Sequence, residues 1–89
     1  MNPTATPTRS LSAIAREIHS DWSKQGKGVN YAADPYLTAM SQLGSIKDRF
    51  YEDSGESVVA YFLGNAGSWR GSVAKRVKLE LNAMLKGAR

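Results

Sequence analysis

No cysteine occurs in these 89 residues, which excludes disulfides, thiol nucleophiles and cysteine-ligated metals. There is one histidine, His19, so a zinc site would need carboxylates, and these show no ligand spacing. Its nearest carboxylates, Glu17 and Asp21, are two residues away and point elsewhere on a helix. Acidic neighbours such as Glu52 and Asp53 suit helix capping better than acid–base chemistry. No apolar run approaches the roughly 20 residues that a membrane span needs. The opening "MNPTATPTRS" lacks the hydrophobic stretch of a secretory signal. These absences lead us to expect a cytoplasmic protein that is not an enzyme, with no catalytic residue, no metal and no cofactor.

What is present suits one small domain. The length fits a single core, and at 42% apolar residues that core is too small to enclose a large cofactor. Residues 1–9, with two prolines among small polar residues, are expected to form a flexible tail ahead of a helical domain at 10–87. Charge is unevenly spread. Residues 1–67 carry six basic and seven acidic side chains, whereas residues 68–89 carry six basic ones against Glu80 alone. Such an excess marks either a surface for polyanions or cations complementing the negative end of a terminal helix.

Periodicity organises the rest. Leu11, Ile14, Ala15, Ile18 and Trp22 recur at helical spacing, and the helix they predict ends near "KQGKG". A second helix lies in "VNYAADPYLTAMSQLGS", capped either by Asn30 or by Asp34, with Leu37, Met40 and Leu43 inward and Gly44 at its end. "SIKDRFYED" is expected to be a short helical turn. The run Val58 to Leu63 suits a strand or a helix. Asp53 followed by Glu56 resembles a capping box, and no other strand-like run exists to pair with it, so we expect a central helix apolar on every side. In the last helix, Val73, Ala74, Val77, Leu81, Met84 and Leu85 share one arc, and Lys75, Lys78, Asn82 and Lys86 lie opposite. The expected fold is all-α: a compact bundle of about four helices joined by short loops.

The stretch "GNAGSWRGS", residues 64–72, raises the functional question. It lacks the Gly-Lys-Ser/Thr ending of a phosphate loop and does not read GxGxxG. With Ser68 as the cap of the last helix, Arg70 falls within the apolar arc, where a guanidinium needs an anionic partner. That partner is either a carboxylate of this chain (Asp48, Glu52, Asp53 or Glu56) or an external anion such as phosphate. A helix-turn-helix aligned on Gly64 fails at Asn65 and Arg70, where apolar residues belong. Two binding surfaces remain. One is a protein contact at Trp69, Tyr61 or Leu79; the other is a nucleic-acid face of Lys75, Lys78 and Lys86, whose binding to phosphates would depend on salt.

The run "YFLGNAGSWRGSVAKRVKLELNAML", with "PYLTAM" upstream, resembles small uncharacterised helical proteins of bacteria, phages and plasmids. Their Phe-Leu-x-Asn-Ala-x-x-Trp-Arg-Gly core is matched by Phe62, Leu63, Asn65, Ala66, Trp69, Arg70 and Gly71. The likeness covers most of residues 10–86, and Gly64 and Gly67 stand where serines are usual. It implies a helical fold and a mobile-element origin, and names no substrate. The expected function is a non-enzymatic protein-interaction module, with nucleic-acid association as the alternative.

Overall fold

The computed structural model of the protein describes residues 9–87, so the expected tail lies, apart from Arg9, outside the described residues. Helix α1 spans Leu11–Trp22 and buries the five residues that its spacing predicts. Ser10 caps it, its hydroxyl accepting from the Ala13 amide at 3.1 Å. The amides of Leu11 and Ser12 donate to the carbonyls of Gly44 and Leu43, at 3.2 and 2.9 Å. The loop after α2 thereby satisfies donors that a helix start leaves without intrahelical partners.

Helix α2 is Asp34–Ser41, and neither expected cap holds: Ala33 precedes it without a side-chain bond, and Asp34 is already helical. Asn30 instead folds a turn ahead of the helix. Its Oδ1 accepts from Ala32 at 3.0 Å and its carbonyl from Ala33 and Asp34. Leu37, Met40 and Leu43 are buried as expected, although the helix stops at Ser41, before Gly44.

The expected helical turn at 45–53 is a two-stranded hairpin, which makes the fold mostly rather than wholly helical. Strand β1, Arg49–Phe50, runs antiparallel to β2, Asp53–Ser54, with Arg49 opposite Ser54 and Phe50 opposite Asp53. Asp48 accounts for this. Its carboxylate accepts the amides of Gly44 and Ser45 at 2.9 and 3.0 Å, and its carbonyl accepts from Gly55 at 2.7 Å. One turn still closes, the Asp48 amide donating to the Ser45 carbonyl at 3.0 Å, but the Asp48 carbonyl is committed to Gly55 and so the turn does not continue as helix.

Helix α3, Gly55–Gly64, is a helix as predicted, but its cap is Ser54, bonded to the Ser57 amide at 3.1 Å, not Asp53. Nor is it buried all round: Val58, Val59 and Phe62 face the core, while Ala60 and Tyr61 are exposed. Helix α4, Ser72–Gly87, starts three residues later than a cap at Ser68 would have it. Ala74, Val77 and Leu81 are buried, and Val73, Met84 and Leu85 pack partly against the core. Helices α1 and α3 each pack against both α2 and α4. At the centre Trp22 and Trp69 stack at 5.8 Å, with Phe62 edge-on to both at 6.1 and 6.4 Å.

Candidate functional site

The "GNAGSWRGS" stretch joins two helices, and the physics of the join starts at Trp69. Its side chain is fully buried, which removes it as a contact for a partner, and its indole Nε1 donates to Asp21 Oδ2 at 2.9 Å. Gln25 holds the next residue. Its Nε2 donates to the Arg70 carbonyl at 2.7 Å, and its Oε1 accepts from the Arg70 amide at 3.2 Å. These bonds, from Asp21 at the end of α1 and from Gln25 in the turn after it, keep Trp69 and Arg70 out of α4. Gly71, at φ 107, then turns the chain into the helix, a conformation that favours glycine.

Arg70 is therefore not a core arginine. It is exposed, and among the described residues its guanidinium makes no ion pair or hydrogen bond. The expected clamp to Asp48, Glu52, Asp53 or Glu56 is not formed, because the loop geometry points the side chain to water and Asp48 is taken by backbone amides.

The three lysines do not share one solvated face. Lys78 turns inward: its ammonium donates to the carbonyls of Ala66 and Trp69, both at 2.8 Å, and lies 5.8 Å from the Trp69 ring centroid. Burial, and after it the charge of Arg70, holds its pKa below the ordinary lysine value. Its role is to tie down the loop. Lys75 and Lys86 remain exposed. At four residues before and seven after Leu79, they lie along the same outward stripe of α4 as that leucine.

Leu79 is 65% exposed, a large apolar side chain in the part of the chain richest in positive charge. It lies in an open groove of about 1270 Å³ that follows α4 from Ser72 to Gly87 and is walled on the other side by residues 44–47. Ile46, Leu79, Ala83 and Met84 supply the apolar surface. Lys47 stands on the loop wall and Lys75 on the helix wall.

An ion-pair network closes one side of the groove. Arg9 reaches Glu80 at 2.6 Å and Glu17 at 2.8 Å, and Arg76 also pairs with Glu17. The Glu80 hydrogen bond, ahead of that from Glu17, holds Arg9 protonated above its ordinary range despite the cost of burial. The Arg76 hydrogen bond, with Arg9 behind it, holds Glu17 below the usual carboxylate range. Two cations and two anions thus neutralise one another. Among the described residues, no carboxylate pairs with Lys47, Lys75 or Lys86. The groove and the network escape sequence reasoning because Arg9 and Glu80 are 71 residues apart.

Tyr61, the remaining expected contact, is 57% exposed and stacks on Tyr36 at 5.5 Å, on a different helix from the groove. His19 lines a smaller cleft with Asp34 and Ser41, and no hydrogen bond joins these side chains. Among the described residues, no three His, Asp or Glu side chains gather as a metal site would require, and no helix is long and apolar enough to cross a membrane. No family model, curated protein or solved structure matches the chain.

Proposed function

We propose that this chain is a non-enzymatic protein-interaction module whose docking surface is the α4 groove. The observation that carries the reading is the 65% exposure of Leu79 beside Ile46, Ala83 and Met84. A lone exposed leucine would be ordinary, but a continuous apolar strip rimmed by polar and charged residues is the composition of a contact site. Tyr61 is a second, smaller contact of the same kind. The reading places the module in the cytoplasm, without cofactor, and in keeping with the mobile-element origin implied by the motif Phe62 to Gly71.

The test compares the wild-type chain with Leu79→Asp as bait in host lysate. A defined protein retained by the first and lost by the second is the expected result, with unchanged far-UV circular dichroism showing that the fold persists. Retention by both baits would remove Leu79 from the contact.

Lys75 and Lys86, exposed and without an ion pair among the described residues, favour one alternative, association with nucleic acid through phosphate contacts. It predicts affinity for DNA or RNA that falls steeply with salt, survives Leu79→Asp and disappears in Lys75→Ala/Lys86→Ala.

A further inference from the structure

We infer that the occupant of the α4 groove is an acidic amphipathic helix, an inference that rests on the protein-docking reading and names the partner's chemistry. Size comes first. A groove of about 1270 Å³, open along its length, exceeds the roughly 300–1,000 Å³ of a compact small-molecule pocket. Its lining runs from Ser72 to Gly87, the two ends of the 16-residue α4, a run of roughly 24 Å at helical rise, which matches a partner helix of four to five turns.

The backbone supports a helix over an added strand. The groove is walled by a helix and a loop, and the only strands of the described chain are two residues long, too short a ladder for strand addition. An amphipathic helix laid in the groove would set apolar residues on Leu79, Ala83 and Met84.

Charge then selects among helices. Arg9 and Arg76 are already neutralised by Glu17 and Glu80, so among the described residues the uncompensated charge lining the groove is that of Lys47 and Lys75, with Lys86 beyond the lining on the same helix. All three are exposed, with Lys75 and Lys86 on the stripe of Leu79 itself. Carboxylates flanking the partner's apolar stripe would meet these cations, and a basic partner would be repelled. A second copy of this chain is a poor occupant, since a two-fold contact on this face sets α4 lysines against their own kind. The residues before Arg9 carry no carboxylate side chain either. Nucleic acid would meet an aliphatic floor with no aromatic ring for its bases.

The experiment is a display selection of random 16-residue peptides on the full chain, followed by fluorescence anisotropy of the enriched peptides. The expected winners carry Asp or Glu beside apolar residues at helical spacing. Their affinity should fall about tenfold or more in Leu79→Asp and in Lys75→Glu/Lys86→Glu, the size of effect seen for close charge pairs and buried anchors. Replacing the winners' acids with lysine should restore binding to the charge-reversed variant and abolish it for the wild type. Winners without acidic bias that still depend on Leu79 would overturn the acidic chemistry and leave the docking reading intact. Winners indifferent to Leu79, or no enrichment, would overturn both. A short DNA duplex or a phosphatidylserine vesicle that binds more tightly than the best peptide would overturn the inference in favour of a polyanion surface.

Discussion

Trp69 lies in a loop, yet its ring packs against Trp22 and Phe62 and its nitrogen donates to Asp21. Truncating it removes a large buried side chain and an aromatic stack, and leaves the carbonyls bonded by Lys78 on a loosened loop. Trp69→Ala should cost about 3–5 kcal/mol. Its neighbour carries none of these contacts. Arg70→Ala should change stability by no more than about 0.5 kcal/mol, the range of exposed substitutions without special partners. Urea denaturation of the two variants checks both values, and a large loss in Arg70→Ala would require a partner for the guanidinium. The adjacent pair shows how little local sequence says about burial in a loop. Helical spacing puts Arg70 on an inward arc only if Ser68 begins the helix. The side chains of Asp21 and Gln25, 40 or more residues earlier, decide otherwise.

The hairpin and α3 meet at Gly55, where a Cβ would lie 2.5 Å from the Ile46 carbonyl oxygen. Backbone cannot yield as a flexible side chain can. Gly55→Ala should therefore destabilise by about 1–3 kcal/mol, the usual cost of overpacking. Thermal unfolding measures it, with Gly64→Ala, whose Cβ meets nothing within 4 Å, as the control on the same helix. The ion pairs that join α1 to α4 predict a dependence on acid. Glu17 is held below its ordinary pKa of 4.5 by Arg76 and then Arg9, so the folded state keeps it charged more readily than the unfolded chain does. The stability this contributes is present in full above pH 4.5 and is lost as pH falls through the folded value. The melting temperature of the wild type should accordingly fall more steeply below that pH than that of Glu17→Gln. Parallel curves would assign no such role to the network. The helices themselves were legible as elements because a stripe such as Leu11 to Trp22 has one period and one solution. Their ends were not, since Asn30, Asp48 and Ser54 are each able to bond more than one nearby backbone group.

On the scale of the whole molecule, residues from all four helices enter one buried cluster, and both tryptophans sit in it. Unfolding followed by tryptophan emission and by far-UV circular dichroism should therefore give coincident midpoints in urea. Separated midpoints would show that α4 or the hairpin melts alone. The same assembly creates the candidate site. Leu79, Lys75 and Lys86 belong to α4, but the groove exists only because residues 44–47 stand across from them and Arg9 bridges to Glu80. Leu79 could be nominated from the sequence as an apolar residue beside the lysine face. Lys78 could not be separated from the other two lysines, because its bonds run to a loop whose path is set by the core.

By itself, the sequence determined that this chain makes amphipathic helices, and which stripe of each is apolar, because backbone geometry and hydrophobic burial act on residues three and four apart. Without cysteine, a second histidine or a phosphate-loop ending, it also narrowed the chemistry on offer. Tertiary structure decided which polar side chains face inward, where loops replace helix, and that one exposed leucine lies in a groove lined by Lys47 and Lys75. Those outcomes depend on bonds between residues tens of positions apart, whose partners are chosen only when the helices pack.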